Sequence, residues 1–91
     1  MTNSGFVPLK HIIVTQLDAG NGVLVDLNTK QYYQLNETAM LIWRALENGH
    51  AFDQIVAELM TVFTVDREHA VASTERLLRK FHERKLVRTA E

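Results

Sequence analysis

The hydrophobic pattern of this chain changes once, at Asn36, and this change constrains the fold more than any other feature. Before Asn36, β-branched residues form short runs between turn residues, a pattern typical of strands. After Asn36, apolar residues recur every three or four positions, a pattern typical of helices that bury one side. Because the chain has 91 residues and no cysteine, we expect a single small α+β domain without disulfides.

The first third of the chain predicts a three-stranded antiparallel sheet. Its strands are expected at residues 11–17, 23–27 and 31–35. The connections between them are short and rich in Gly, Asn and Asp, which suit chain reversals. In the second strand, Val23, Val25 and Leu27 are expected on one face and Asp26 on the other, because successive side chains of a strand alternate.

The third predicted strand has a tyrosine on each face. Tyr33 and Leu35 are expected on one face, and Tyr32 and Gln34 on the other. In a meander of two hairpins this strand lies at an edge of the sheet, where a peptide can add as a further strand. The plainer interpretation is packing alone, with Tyr33 over the core and Tyr32 on the surface.

The remainder of the chain predicts three helices, so the whole resembles a winged-helix arrangement. Asn36, Asp53 and Asp66 are each suited to cap the start of one helix, because a short polar side chain can accept a bond from a free N–H group. Gly49 follows the first helix, where a left-handed residue is favoured. The third helix has one predicted buried face, formed by Ala70, Val71, Thr74, Leu77, Leu78 and Phe81, whereas Arg67, Ser73, Arg76 and Lys80 are expected to face water.

The polar residues form no recognisable catalytic or metal site. The four histidines are spread along the chain, and no two are spaced to place ligands on one helical face. Ser4 and Ser73 lack the surroundings of an activated serine. We therefore expect a non-catalytic protein that needs no metal and no cofactor.

Charge and hydropathy argue against two other classes. The net charge of −1 gives no strong field for nucleic acid or for an anionic membrane. Apolar runs are far shorter than the ~20 residues that a membrane span needs. The N-terminus has no basic segment before an apolar one, so no signal peptide is expected. Together with the absence of cysteine, these features fit a cytoplasmic protein.

A DNA-binding winged-helix regulator is the main alternative, because such domains place a helix in the major groove. Its phosphate contacts would be Arg76, Arg79, Lys80, Arg84, Lys85 and Arg88. Glu75 and Glu83 are interleaved with these cations, which is more typical of a solvated helix face. A third alternative is self-association, in which the third strand pairs with its own copy.

Residues 25–43, with the sequence VDLNTKQYYQLNETAMLIW, resemble the PqqD-like domain. The most specific part is the segment from Leu35 to Ala39 together with the pair Ile42 and Trp43. The resemblance covers roughly residues 10–88 and implies three strands followed by three helices. We therefore expect residues 1–9 to be a flexible N-terminal segment, residues 10–88 to be the single domain, and residues 89–91 to be a C-terminal tail.

The resemblance implies a recognition element that binds the leader of a ribosomally made precursor peptide. The leader would add antiparallel to the third strand, lie against the third helix, and be presented to a separate partner such as a radical S-adenosylmethionine enzyme, a leader protease or a cyclase. The implied peptide-binding residues are Gln31, Tyr32, Tyr33, Gln34 and Leu35 on the strand, and Val71, Thr74, Glu75, Leu78, Arg79 and His82 on the helix. Among these, Tyr33, Val71 and Leu78 would hold apolar side chains of the leader.

The chain departs from PqqD proper at several positions. Asn28, Thr29 and Lys30 stand where that protein usually has Pro-Glu before its third strand, and Lys85 stands where it has a glycine. In these respects the chain is more similar to the discrete leader-binding proteins of lasso-peptide and related biosynthesis.

Overall fold

The computed structural model describes residues 4–90 as two small antiparallel sheets and three helices. The strands are β1 (Phe6–Pro8), β2 (Ile12–Gln16), β3 (Gly22–Asp26), β4 (Gln31–Leu35) and β5 (Val87–Thr89). The helices are α1 (Glu37–Glu47), α2 (Phe52–Phe63) and α3 (Arg67–Glu83), and a short 3-10 turn covers Asp18–Gly20. The predicted α+β class, with a three-stranded antiparallel sheet ahead of three helices, is confirmed.

The larger sheet has the strand order β2-β3-β4, so β4 lies at one edge. Its register aligns Val25 with Ile13 on β2 and with Tyr32 on β4. The third predicted strand is confirmed in its bounds and in its position at the edge. This sheet and the helices enclose the core, where Trp43 is fully buried and meets the ring of Phe81 edge-on at a centroid distance of 5.3 Å.

The smaller sheet was not predicted. β1 pairs with β5, so that Phe6 lies opposite Thr89 and Pro8 opposite Val87. Residues 6–8 were expected in a flexible segment and residue 89 in a tail, yet they form this sheet. Strands of three residues are too short to carry an alternation signal. Residues 1–3 and 91, which also belong to those predicted segments, lie outside the described residues.

Two of the three predicted helix caps are confirmed. The side chain of Asn36 accepts a bond from the backbone N–H of Ala39 at 2.9 Å, and that of Asp66 accepts one from His69 at 2.8 Å. Gly49 has a φ of 73° just after α1, as the sequence predicts. The first cap places the start of α1 directly after β4.

The predicted cap of α2 is wrong by two residues. Ala51, not Asp53, is the N-cap, and the side chain of Gln54 accepts a bond from the Ala51 N–H at 2.8 Å. Asp53 lies within the first turn, where its charge favours the helix N-terminus. A glutamine that reaches back to the cap residue makes the same bond that a capping box supplies.

The inner face of β3 is the one that carries Leu24 and Asp26, which are 0% and 5% exposed. The valines on the other face are half-buried, and Leu27 is exposed. The Asp26 carboxylate organises the turn between β3 and β4. It accepts bonds from the backbone N–H groups of Asn28 at 2.8 Å and Thr29 at 3.1 Å. This turn leads the chain into β4 and helps to fix its register.

We expect Asp26 to make the fold sensitive to acid. Burial by itself raises the pKa of the Asp26 carboxyl, but the N–H groups of Thr29 and Asn28, together with the nearby His11, outweigh burial and hold the pKa below its ordinary value. A carboxyl with a lowered pKa stabilises the fold at pH values above the ordinary pKa of an aspartate. This stabilisation is lost as the pH falls through the lowered pKa. Urea unfolding from about pH 6 to about pH 2.5 should therefore show a smaller loss of stability for Asp26→Asn than for the wild type.

The matched control is Asp18→Asn, because the Asp18 side chain is exposed and forms no ion pair with a cation of residues 4–90. It should lose stability with acid as the wild type does. An acid response of Asp26→Asn equal to that of the wild type would contradict the role assigned to this turn.

Candidate functional site

The hydrogen-bond pattern of the larger sheet fixes which backbone groups of β4 are free. Leu17 N–H donates to the carbonyl of Asn21 at 2.7 Å, and Leu27 N–H donates to the carbonyl of His11 at 3.0 Å. In an antiparallel ladder the bonding direction alternates from residue to residue. The odd-numbered residues of β3 therefore bond to β2, and its even-numbered residues bond to β4.

The register then assigns the groups on β4 itself. Gln31, Tyr33 and Leu35 lie opposite even-numbered residues of β3, so their N–H and C=O groups point into the sheet. Those of Tyr32 and Gln34 point away from it. No other strand of residues 4–90 pairs with this edge. This edge can thus accept backbone hydrogen bonds from an added strand and donate backbone hydrogen bonds to it.

A groove of about 320 Å³ runs between β4 and α3. The strand contributes the inward-facing side chains of Tyr33 and Leu35, and the helix contributes Leu77, Lys80, Phe81 and Arg84. The spacing of these four helix positions places them on one face of α3. Ala39, at the start of α1, also lines the groove, so the confirmed Asn36 cap positions its floor.

The charged side chains at this groove are cationic. The Arg84 guanidinium carbon lies 5.4 Å from the centre of the Tyr33 ring, and the Tyr33 hydroxyl donates to Gln31 Oε1 at 2.7 Å. Lys80 lies one turn before Arg84, and no carboxylate of residues 4–90 lines the groove. The arrangement combines an apolar floor, a free backbone edge and two positive charges.

The predicted helix positions lie elsewhere. Glu75, Leu78, Arg79 and His82 line a second cavity of about 360 Å³, together with residues of β1 and α2. Phe6 covers this side of α3, with its ring centroid 5.3 Å from that of His82. These positions are therefore on a different side of α3 from the groove beside β4.

The remaining predicted helix positions belong to the core or its margin. Thr74 is fully buried, and its hydroxyl donates to the carbonyl of Ala70 at 2.8 Å. Leu78 is only 4% exposed, and Val71 is a half-buried residue packed against the core. Ser73, which was expected to face water, is also buried. The structure thus brings four of the five predicted strand residues to the groove, all except Gln31, but none of the six predicted helix residues.

Sequence reasoning missed four helix positions at the groove. Leu77 and Phe81 belong to the predicted buried face, but Lys80 is predicted to face water, and Lys80 and Arg84 are otherwise named only as phosphate contacts of the DNA-binding alternative. The signal was the spacing of residues 77, 80, 81 and 84, which equals two helical turns of one face. The same geometry separates the helix cations, because Arg79 lies beside Glu75 at the second cavity while Lys80 and Arg84 lie at the groove.

Residues 4–90 have neither a metal site nor a membrane-spanning helix. They contain no group of three or more His, Asp or Glu side chains placed to hold a metal ion. Their two histidine–carboxylate contacts, His11 with Asp26 and His50 with Glu58, are at separate places in the fold. No helix within this range is long and apolar enough to cross a membrane.

The fold and the groove define a small domain with a candidate binding site between a strand and a helix. Comparison with known proteins assigns this domain to a family. The family model described as Coenzyme PQQ synthesis protein D (PqqD) matches residues 21–87. The chain therefore belongs to the PqqD family, and the predicted PqqD-like resemblance is confirmed. No curated protein matches the chain.

Two solved structures share the fold across nearly the whole chain. A lasso peptide synthetase B1 complexed with the leader peptide is 31% identical, with a TM-score of 0.82, and the match covers 92% of this chain and 98% of that one. TbiB1 in complex with the TbiA(beta) leader peptide is 24% identical, with a TM-score of 0.83, and the match covers 93% of this chain and 98% of that one. At this identity the second likeness shows the fold alone.

Proposed function

We propose that this protein is a non-catalytic recognition element that binds the leader of a ribosomally made precursor peptide. The observation that carries the proposal is the likeness to lasso peptide synthetase B1, whose solved structure holds a leader peptide. The free edge of β4 beside a groove supports it, because an extended peptide needs both backbone partners and pockets for its side chains.

In this proposal the leader adds antiparallel to β4. Its backbone bonds to the outward-facing groups of Tyr32 and Gln34. The leader side chains that lie across from Tyr33 and Leu35 face α3, because side chains at the same register position share a face of the sheet. These are the side chains that enter the groove between the strand and Leu77.

In this proposal the protein catalyses no reaction itself and acts by keeping the precursor close to an enzyme. While the leader is held, the rest of the precursor remains tethered near the active site of a separate enzyme, which raises its effective concentration there. We propose as that partner a modifying enzyme, such as a radical S-adenosylmethionine enzyme, or a leader protease or cyclase. Because the precursor is made on ribosomes, we place this step in the cytoplasm.

The direct test is fluorescence anisotropy of labelled candidate leader peptides, with unlabelled duplex DNA as competitor. We expect saturable binding at micromolar or lower concentration that the DNA does not displace. Failure of every such leader to bind would sink the proposal. Binding of DNA that falls steeply with salt would favour the regulator alternative, and sedimentation at several concentrations tests pairing of β4 with its own copy.

Truncation of Leu77 should weaken this binding modestly. Leu77→Ala removes apolar contact from the groove wall, so we expect a loss of about 1 kcal/mol, or about fivefold in Kd. The control is Val62→Ala, a truncation at an exposed residue of α2 outside the β4–α3 groove. Equal affinities for the two variants would contradict the placement of the leader against α3.

A further inference from the structure

The β4–α3 groove has two cations and no acidic partner. Lys80 and Arg84 both line it, and neither forms an ion pair with a carboxylate of residues 4–90. The second cavity differs in this respect, since Glu75 and Arg79 line it together. The positive charge is thus concentrated on the side of α3 that faces the free edge.

The two cations lie four positions apart, Lys80 in the last turn of α3 and Arg84 at its C-cap, so their side chains are neighbours. Like charges at this spacing disfavour a helix by a few tenths of a kcal/mol, and a carboxylate bound between them would reverse that effect. Arg84 is exposed, and its guanidinium lies over the Tyr33 ring, which limits the directions that the side chain can take. The planar guanidinium can present paired N–H donors to a carboxylate from this position.

We infer that Lys80 and Arg84 form a carboxylate-binding subsite in the β4–α3 groove, so that the preferred leader carries an aspartate or glutamate beside its apolar residues. This inference rests on the proposed function and specifies the chemistry of the peptide. Groove-facing side chains of an added strand occur at every second residue. The acidic residue therefore lies an even number of positions from the apolar residues that enter the groove.

A peptide selection tests this chemistry without knowledge of the natural leader. The probe is a positional-scanning library of acetylated, amidated peptides of about ten residues, selected on the full-length protein. We expect the wild type to enrich alternating apolar residues with Asp or Glu at an even spacing. For the best selected peptide, replacing that residue by Asn or Gln should raise Kd about five- to tenfold in anisotropy.

Charge reversal supplies the matched variants. A Lys80→Glu, Arg84→Glu double variant should change the enriched residue to Lys or Arg, whereas Arg79→Glu, on the other side of α3, should keep the wild-type preference. Cations near a helix C-terminus also stabilise the helix, so circular dichroism checks the fold of each variant. Lys80→Gln and Arg84→Gln, which should lose the acidic preference without reversal, replace the double variant if it unfolds.

Each contrary outcome has a distinct meaning. Enrichment of alternating apolar residues without an acidic preference would overturn the subsite and leave the proposed function standing. An acidic preference that survives charge reversal, or an acidic peptide that duplex DNA displaces, would also overturn the subsite. Enrichment of no extended peptide at all would contradict the proposed function and the subsite together.

Discussion

Replacing Gln34 with proline is expected to weaken leader binding more than any other single change at the edge of β4. The Gln34 N–H points away from the sheet, and proline removes this donor without removing a bond to β3. A backbone carbonyl of the bound leader would then lose its hydrogen-bond donor at a partly buried position and would contact the proline ring instead. We expect a loss of about 2–3 kcal/mol, or about 30- to 150-fold in Kd.

The control is Gln34→Ala, which keeps the N–H group and removes only an exposed side chain. It should bind the labelled leader within about twofold of the wild type. Both variants should unfold near the wild-type temperature, because an edge strand tolerates proline where its N–H faces outward. Wild-type affinity in Gln34→Pro would mean that the leader does not pair with this edge.

Loss of the Trp43 side chain is expected to have the largest effect on stability. The indole is fully buried, packs edge-on against Phe81, and donates through Nε1 to Glu47 Oε2 at 3.2 Å. Truncating a buried tryptophan to alanine costs about 3–5 kcal/mol. A domain of this length has a total stability of roughly 5–14 kcal/mol. We therefore expect Trp43→Ala to be partly or largely unfolded at 37 °C.

Urea unfolding followed by far-UV circular dichroism measures this effect, since the chain has one tryptophan and the variant has no intrinsic indole signal. Tyr32→Ala is the comparison, because Tyr32 is 73% exposed and its truncation should change stability by less than about 0.5 kcal/mol. A Trp43→Ala variant as stable as Tyr32→Ala would be incompatible with the described core.

Because Phe81 also lines the groove, a Trp43→Phe variant should bind the leader less tightly while it still folds.

The strand half of the candidate site could be predicted from the sequence because the relevant signals are local. The turn before residue 31 and the Asn36 cap after residue 35 bound β4, and the two-residue alternation places Tyr33 on the helix side. The role of Asp26 has a local signal too, because the side chain of an aspartate at the start of a tight turn often accepts a bond from the backbone N–H two residues on, here that of Asn28.

The helix half could not be predicted because its orientation depends on contacts distant in sequence. The apolar residues of α3 lie in one arc, with Leu77 at one border and Val71 at the other, so periodicity alone cannot say which border faces β4. The short β1 strand decides this point, because Phe6 covers the side that carries His82. Without β1, that side was assigned to the peptide. The side of α3 that faces β4 therefore could not be predicted, because it depends on a three-residue strand that no pattern predicts.

The alternation of free backbone groups along β4 has a consequence for how leader sequences diverge. A strand added at this edge shows every second side chain to the groove and turns the others towards solvent. Only one set of positions in the bound segment is then under selection for affinity, and neutral drift can change the other set. Related leaders should consequently retain a two-residue rhythm of constrained sites even where their overall identity is too low to align.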